Sequence, residues 1–270
     1  MKRSHPLTAA FGLAALAFLY LPLVAVVVFS VNSAKFGFQW QGFSLKWYQQ
    51  LFQNDQILEL TRNTLFLAVV STLIATVLGT ALALGLERYP WGRRLRGTLE
   101  TALYLPVVTP DIILAAALVV IFQILQQVSS IFEPGMLTMI IGHVTFQVAF
   151  VCLTVQSRLA SLGRDLEEAA YDLYASYPGM LRRVLLPLLA PGIAAGAMLA
   201  FTLSLDDFII SLFTAGPSSQ TLPLYIYASV KRGISPEIHA LSSLMLFATL
   251  ALVLGSERLT RRKNGEGEKG

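Results

Sequence analysis

The sequence predicts an all-α integral membrane protein with six transmembrane helices, and three observations lead to this fold class. Hydrophobic residues make up 55% of the 270 residues, charged residues only 13%, and the mean hydropathy is +0.63. An average soluble domain carries about 25% charged residues. Apolar stretches of about 20 residues, the length of a bilayer-spanning helix, recur along the chain. Basic residues are concentrated in alternate connecting segments, as they are in multi-pass membrane proteins.

Apolar stretches with few or no charges place the six helices. We predict them at residues 7–31, 64–86, 101–125, 136–157, 190–213 and 238–256. A soluble helix bundle would give each helix one polar face, whereas Leu65–Leu86 is apolar or small on every side. The apolar core of the first helix is about 25 residues long, which exceeds the core of a signal peptide, so we expect this helix to be retained.

The basic residues orient the helices. With the N-terminus inside, 15 of the 20 Lys and Arg residues lie in inner segments and 5 in outer ones, and basic residues accumulate on the cytoplasmic side. We therefore expect a cytoplasmic N-terminus (1–6), a single transmembrane domain (7–257) and a disordered cytoplasmic tail (258–270). Because the positive charge follows a membrane face, the expected contact is membrane lipid and not nucleic acid.

The inner segment 158–190 is the only substantial part predicted to face the cytoplasm. Asp165 and two glutamates begin a short helix, where acids complement the helix dipole. Ser176 is suited to cap a second short helix. This helix pair is either a docking element for a cytoplasmic partner or a surface element anchored by Arg182 and Arg183.

Two outer segments also contain informative residues. The first, at about 32–62, contains Trp40 and Trp47, which are suited to a membrane interface. The second contains the apolar stretch Leu222–Val230, which is too short to span a bilayer. It predicts a lateral or re-entrant helix on the outer side.

Three acidic residues lie at bilayer depth: Asp111, Asp206 and Asp207. An ionisable side chain there costs a few kcal/mol and is a functional candidate by default. Asp111 follows Arg96 by 15 residues and Asp206 follows Pro191 by 15 residues, which puts both carboxylates about 22 Å from the inner boundary. No basic residue lies within the predicted spans, so this pattern favours a path for a cationic cargo.

The individual roles follow from helix geometry. Neighbouring residues on a helix point about 100° apart, so Asp206 and Asp207 cannot both face the path squarely. The outward periodicity of Leu203 and Ile210 favours Asp206. Tyr20 lies at similar depth and could contribute a cation–π contact. An inter-helix hydrogen bond, for example to Gln147 or Thr109, is the alternative role for each acid.

Two prolines precede Asp111. Pro106 and Pro110 predict a bent or locally opened helix, because proline lacks a backbone N–H and crowds the preceding turn. Carbonyl groups exposed by such a bend would also favour cations.

Several enzyme classes find no support in the residues. The Gly-x-x-x-x-Gly-Lys-Ser/Thr phosphate loop is missing, so ATP hydrolysis by that route is not expected. Neither a catalytic triad nor a metal-ligand cluster is evident, and we expect no cofactor in this chain. We interpret His143 as a hydrogen-bonded packing residue of the fourth helix.

Motifs along the chain resemble a known family. Glu168-Ala169-Ala170 followed by Val184-Leu185-Leu186-Pro187 is similar to the EAA loop of permease subunits of bacterial ABC importers. Residues 10–256 also resemble the spermidine/putrescine permeases, most closely the shorter, second-subunit type. The motifs shared with that subgroup are Trp40-Gln41-Gly42-Phe43, Lys46-Trp47-Tyr48, Pro110-Asp111-Ile112, Gly142-His143-Val144-Thr145-Phe146, Phe201-Thr202-Leu203-Ser204-Leu205-Asp206-Asp207, Thr221-Leu222-Pro223-Leu224 and Gly233-Ile234-Ser235-Pro236-Glu237.

The resemblance implies a type I ABC importer permease fold in the bacterial inner membrane and a polyamine cargo. It implies a heterodimer with a second permease subunit, an ATPase homodimer that binds ATP and Mg, and a periplasmic solute-binding protein. The implied ATPase-coupling residues are Glu168, Ala169, Ala170, Tyr174, Leu186 and Pro187. One residue departs from the pattern, because the family has Gly where this chain has Tyr174.

Other functions remain open at this stage. The cargo could be another small solute, such as an opine, an amino compound or an anion, although an anion predicts basic residues in the spans. A stand-alone secondary transporter predicts internal repeats with interrupted helices and leaves 158–190 unexplained. The sequence does not distinguish between spermidine and putrescine.

Overall fold

Every regular element in the described part of the chain is helical. The structure, a computed structural model, describes the backbone of residues 6–34, 39–232 and 236–266 and the side chains of residues 10–34, 39–231 and 236–251. Within these ranges there is no strand, and the all-α fold class is confirmed. The helices are α1 Pro6–Ser30, α2 Lys46–Gln53, α3 Asp55–Arg88, α4 Arg93–Val108, α5 Asp111–Gln126, α6 Met136–Leu162, α7 Asp165–Asp172, α8 Tyr177–Met180, α9 Leu186–Asp206, α10 Ile209–Thr214, α11 Leu222–Arg232 and α12 Pro236–Glu266.

Four helical stretches are long and apolar enough to cross a bilayer. They are Ala10–Ser30, Asp55–Arg88, Met136–Leu162 and Tyr177–Asp206, the last of which joins α8 to α9 through a π-helical turn. The α4–α5 pair supplies a fifth if both helices form one span. The sixth predicted helix falls in α12, whose described apolar part is Pro236–Ala251. The count of six and the cytoplasmic position of both termini therefore stay predictions.

The third predicted span, 101–125, is not one continuous helix. It consists of α4 and α5, which meet at an angle of 112°. Thr109 between them is extended, with φ −73° and ψ 132°, because a residue before proline is disfavoured in the helical region. Pro110 accepts the first backbone hydrogen bonds of α5, from Ile113 and Leu114. The bend that the prolines predicted is confirmed, and the single helix is wrong.

The fifth predicted span, 190–213, is also interrupted. It begins earlier, at Leu186, and α9 ends at Asp206. Asp207 is extended, with φ −61° and ψ 126°, and α10 follows from Ile209. No proline causes this break; instead the Asp207 carboxylate accepts the backbone N–H groups of Ile210 and Ser211, and such side-chain capping competes with helix continuation.

The C-terminal end differs from the prediction as well. Helix α12 continues to Glu266, so the backbone of 258–266 is helical instead of disordered, and 267–270 lie outside the described residues. A helix that is already formed extends through good helix formers such as Arg, Lys and Glu without a new nucleation cost. The predicted helix at Leu222–Val230 is present as α11, and its position on the outer side stays a prediction.

The chain divides into two compact units, residues 1–59 with 225–261 and residues 60–224 with 262–270. In the second unit, α3, α6 and α9 approach closely at glycines. A Cβ atom on Gly79 of α3 would lie 2.7 Å from the Val151 side chain of α6, and one on Gly196 would lie 3.3 Å from its Cα. Small residues allow membrane helices to pack this closely. Helices α3, α6 and α9 therefore form the closely packed core of the second unit.

In the first unit, the segment after α1 is folded around Asn32. The buried Asn32 side chain forms hydrogen bonds with the backbone of residues 34, 39 and 41. The backbone carbonyl of Asn32 accepts the Trp47 indole N–H at 2.8 Å. Trp47 is buried, in contrast with the interfacial position that the sequence suggested, whereas Trp40 is exposed. Ser30 and Tyr48 share a hydrogen bond of 2.7 Å, which ties α2 to the end of α1.

Candidate functional site

The three acids that the sequence predicts at bilayer depth all lie at helix ends in the unit formed by residues 60–224. Asp111 is the first residue of α5, Asp206 is the last residue of α9, and Asp207 lies between α9 and α10. Carboxylates at Asp111 and Asp207 complement the positive end of the helix that follows each of them. The structure thus places each predicted acid where the backbone leaves a helix.

Packing against α6 brings two of these helix starts to the same end of the unit. Thr138, in the first turn of α6, donates to the carbonyl of Thr214 at the end of α10 at 3.0 Å, whereas His143, farther along α6, contacts Asp207 before α10 begins. Helix α10 therefore runs antiparallel to α6. The last turns of α5 line one small cavity with Thr138 and Thr214, so α5 runs parallel to α10 and Asp111 lies at the Asp207 end.

The carboxylate of Asp207 is satisfied inside the protein. It accepts the backbone N–H of Ser211 at 2.8 Å and that of Ile210 at 3.3 Å, and its Oδ2 lies 3.2 Å from Nε2 of His143. The side chain is only 10% exposed. Asp207 therefore has the inter-helix hydrogen-bonding role that the sequence left as an alternative, although with His143 and not with Gln147 or Thr109.

His143 is fully buried and contacts both sides of the α9–α10 break. Its Nδ1 is hydrogen-bonded to Ser204 Oγ at 2.7 Å and its Nε2 to Ser211 Oγ at 3.1 Å. Ser204 Oγ also lies 3.4 Å from Ser71 Oγ of α3. The prediction of a hydrogen-bonded packing residue is confirmed, and the structure adds its contact with Asp207.

Asp206 and Asp111 have the opposite environment. Both side chains are exposed, and among the described residues neither forms an ion pair with a basic group. Gln147, an alternative partner for the acids, donates instead to the carbonyl of Ala200 at 2.9 Å. Two carboxylates at helix breaks are thus open to a ligand.

The remaining predicted path residue lies elsewhere. Tyr20 belongs to α1, in the unit formed by residues 1–59 and 225–261, and it is 55% exposed. A cation–π role for Tyr20 stays a prediction.

The inner segment forms the predicted pair of short helices, α7 and α8, followed by the π-helical turn Leu181–Leu185. Glu168 and Ala169 are exposed, and Ala170 packs into the core. At the start of α9, Leu186 is half-buried and Pro187 is exposed. The outward surface is unusually apolar for a connecting segment: its large exposed side chains are Leu166, Tyr171, Leu173, Tyr174 and Tyr177. Large apolar side chains exposed together in one segment are typical of a protein–protein or membrane contact.

An ion pair that the sequence did not reveal holds α7 against the membrane helices. Arg88 at the end of α3 donates its Nε–H to Oε1 of Glu167 at 2.7 Å, and both side chains are largely buried. Arg88 also reaches the carbonyl of Gly163, and Arg164 reaches that of Glu87. The two acids of the pair Glu167 and Glu168 therefore differ: the first fixes the segment internally, and the second faces outwards.

Tyr174 ends α7 in a left-handed conformation, with φ 59°. Its N–H donates to the carbonyl of Tyr171 at 2.8 Å, and the N–H of Ala175 donates to that of Ala170 at 3.0 Å. These two bonds define a Schellman motif, in which the left-handed position is usually Gly. The Tyr174 side chain is 97% exposed.

Comparison with known proteins identifies the family. Residues 75–262 match the sequence profile of the binding-protein-dependent transport system inner membrane component. The spermidine/putrescine transport system permease protein PotC of Escherichia coli (strain K12) is 41% identical over 249 residues, which cover 92% of this chain and 91% of that protein. This chain belongs to the binding-protein-dependent permease family. It is accordingly a multi-pass inner-membrane transport subunit.

Other members and a solved structure agree with the family. The putrescine transport system permease protein PotI of the same strain is 39% identical over 234 residues, covering 86% of this chain and 82% of that protein. The crystal structure of a bacterial ABC transporter involved in the import of the acidic polysaccharide alginate has a chain that superposes with a TM-score of 0.77 at 20% identity, covering 96% of this chain and 94% of that one. The fold is that of an ABC importer permease.

Family membership gives the Tyr174 geometry a meaning. The EAA-loop pattern that this sequence resembles has Gly at this position, and the positive φ of Tyr174 is a backbone conformation that favours Gly. The sequence reasoning missed Arg88, Glu167 and the contact of His143 with Asp207. The contact of His143 with Asp207 had one advance signal, the helical spacing of the polar residues His143 and Gln147 in an apolar helix. The Arg88–Glu167 pair had none.

Proposed function

We propose that this permease passes polyamines, spermidine or putrescine, across the inner membrane. The observation that carries the proposal is a pair of exposed carboxylates, Asp111 and Asp206, at two helix breaks with no basic partner in the described part of the chain. The relatives named as spermidine/putrescine and putrescine permeases support the same cargo class. A polyamine is a flexible cation with separated ammonium groups, which two separate carboxylates could contact in turn.

The backbone around Asp206 strengthens the attraction for a cation. Asp206 is the last residue of α9, so the unpaired carbonyls of that helix end add partial negative charge beside its carboxylate. Asp111 lies after the extended residue Thr109, where the α4–α5 bend interrupts the helical hydrogen bonds. Irregular backbone at membrane depth is tolerated where it is buried in protein or lines a water-filled cavity, which agrees with a cargo path at these breaks.

Transport requires partners that this chain does not contain. We propose a heterodimer with a second permease subunit, two copies of an ATPase that bind ATP and Mg, and a periplasmic solute-binding protein. The exposed apolar surface of the inner segment, with Tyr174 at its tip, supports docking to the ATPase. The Arg88–Glu167 ion pair would transmit movement of that segment to α3. Glu168, Ala169, Leu186 and Pro187 are assigned to this coupling role by the family pattern.

The alternative functions fit less well. An anionic cargo would require positive groups at the path, whereas Asp111 and Asp206 have no basic partner among the described residues. Interrupted helices are also expected of secondary transporters, so the breaks do not separate the two classes. Family membership and the inner segment favour the ATP-driven importer.

Uptake by the reconstituted complex tests the cargo assignment. The complex of both permeases and the ATPase is placed in liposomes, and radiolabelled spermidine or putrescine is supplied on the binding protein. We expect Asp111→Asn or Asp206→Asn to lower uptake several-fold with assembly intact. Glu59→Gln, which neutralises an exposed acid outside the predicted spans, is the matched control and should transport normally. Normal uptake by both aspartate variants would contradict the cargo site.

A further inference from the structure

The break between α9 and α10 has no proline to keep it open, so side chains must hold it. The first turn of α10 exposes backbone N–H groups that need acceptors, and Asp207 supplies two of them, at Ile210 and Ser211. A second helix, α6, contributes the buried ring of His143, which contacts Ser204 before the break and Ser211 after it. One side chain therefore joins both sides of the interruption.

The two neighbouring carboxylates at this break have opposite surroundings. Asp207 is 10% exposed and is hydrogen-bonded to backbone and to His143, whereas Asp206 is exposed. A carboxylate away from water is tolerated only when its oxygens have hydrogen-bond partners. Asp207 has such partners in the first turn of α10 and in His143 of α6, so it is Asp207, and not Asp206, that stays inside.

Helix α6 holds the end of α9 at a second point. Gln147 lies one turn after His143 on the same face and donates to the carbonyl of Ala200 at 2.9 Å. Ser204, the partner of His143, lies one turn beyond Ala200 on α9. The last two turns of α9 are thus fixed in rotation by two fully buried side chains of α6.

We propose that His143 is a positioning residue that retains Asp207 inside the unit and so directs Asp206 towards the transported cation. The inference rests on the proposed function, in which Asp206 contacts the cargo. Without the His143 ring, Asp207 loses its only side-chain partner on α6, and the α9–α10 break is free to rotate. Asp206 then no longer has a fixed direction.

Two conservative substitutions separate the contacts of the ring. The amide nitrogen of Gln falls near the position of Nε2, the atom that contacts Asp207, whereas the side-chain amide of Asn falls near the position of Nδ1, which contacts Ser204. His143→Gln should therefore retain the hold on Asp207, and His143→Asn should lose it. Both variants keep a polar group of similar size in the cavity.

The rate of thiol labelling measures the accessibility of residue 206, and it does not depend on transport activity. In the assembled complex with Cys152→Ala, which removes the only native cysteine, the Asp206→Cys thiol is exposed to a small charged methanethiosulfonate reagent. We expect His143→Asn to slow its labelling by about tenfold or more, the factor that corresponds to one lost hydrogen bond to a charged group. His143→Gln should label at the parent rate. Equal rates in both variants, or failure of both to assemble, would overturn the inference.

Uptake by a double variant distinguishes this inference from the proposed function. In the proposed function the binding protein delivers the cargo, so His143→Asn should lower the maximal uptake rate with the apparent KM unchanged. Because His143 acts through Asp206, adding His143→Asn to Asp206→Asn should lower uptake no further. A further several-fold loss would refute the positioning role and leave the cargo site intact. Normal uptake by Asp206→Asn alone would instead refute the proposed function.

Discussion

Replacing Tyr174 with glycine should stabilise the inner segment. Tyr174 occupies the left-handed position of the Schellman motif, with φ 59°, a conformation that costs an L-residue about 1–2 kcal/mol. Glycine relieves this cost but loses about 0.5–1 kcal/mol more conformational entropy on folding. The Tyr174 side chain is 97% exposed, so its removal sacrifices no packing within the chain. The net gain is about 0.5–1 kcal/mol.

Hydrogen exchange measures this gain locally. A stabilisation of that size slows opening of the segment by about two- to fivefold, and the amides of Tyr174 and Ala175, which form the motif's two bonds, should show it. Leu173→Gly is the matched control, because Leu173 is also exposed and has a negative φ of −87°. Its substitution should speed exchange by a similar factor.

Coupling is the second readout of Tyr174→Gly. If the tyrosine side chain makes no required contact with the ATPase, Tyr174→Gly should retain or raise transport-coupled ATP hydrolysis. A large loss of coupling together with slower exchange would show that the ring is a required contact with the ATPase. Faster exchange in Tyr174→Gly than in the parent chain would refute the strain argument itself.

Two further predictions concern packing and the ion pair. Arg88→Ala leaves the largely buried carboxylate of Glu167 without its ion-pair partner, which should destabilise α7 by about 2–3 kcal/mol. Hydrogen exchange of the α7 amides should accelerate. The swapped double variant Arg88→Glu/Glu167→Arg should restore much of the protection. Gly79→Ala places a Cβ 2.7 Å from Val151 and should cost about 1–3 kcal/mol. The same change at Gly85, where the space is open, should be neutral or slightly stabilising, as thermal unfolding of the purified complex would show.

Hydropathy and charge predicted the long helices because a bilayer imposes the same length on each. They did not predict the break at Asp207, because the local cap that Asp207 places on the first turn of α10 is supported by a contact with His143 of α6, and that contact forms only in the folded unit. The bend before Asp111 was predictable because Pro110 acts locally. The difference between the two breaks is therefore one between local and tertiary causes.

The same distinction applies to the candidate site. Asp111 and Asp206 were identifiable because a charge in an apolar stretch stands out in the sequence itself. The Arg88–Glu167 pair joins residues 79 positions apart, and neither residue lies in an apolar stretch, so nothing in the sequence singled it out. Tyr174 stood out only against the family pattern, and its positive φ explains why that pattern contains Gly.

The central claim is that exposed carboxylates at the helix breaks bind the transported cation. Its most direct test measures uptake and ATP hydrolysis in the same liposome preparation. We predict that the double variant Asp111→Asn/Asp206→Asn retains ATP hydrolysis stimulated by the loaded binding protein but accumulates almost no polyamine. Polyamine uptake at the parent rate per ATP hydrolysed would contradict the account.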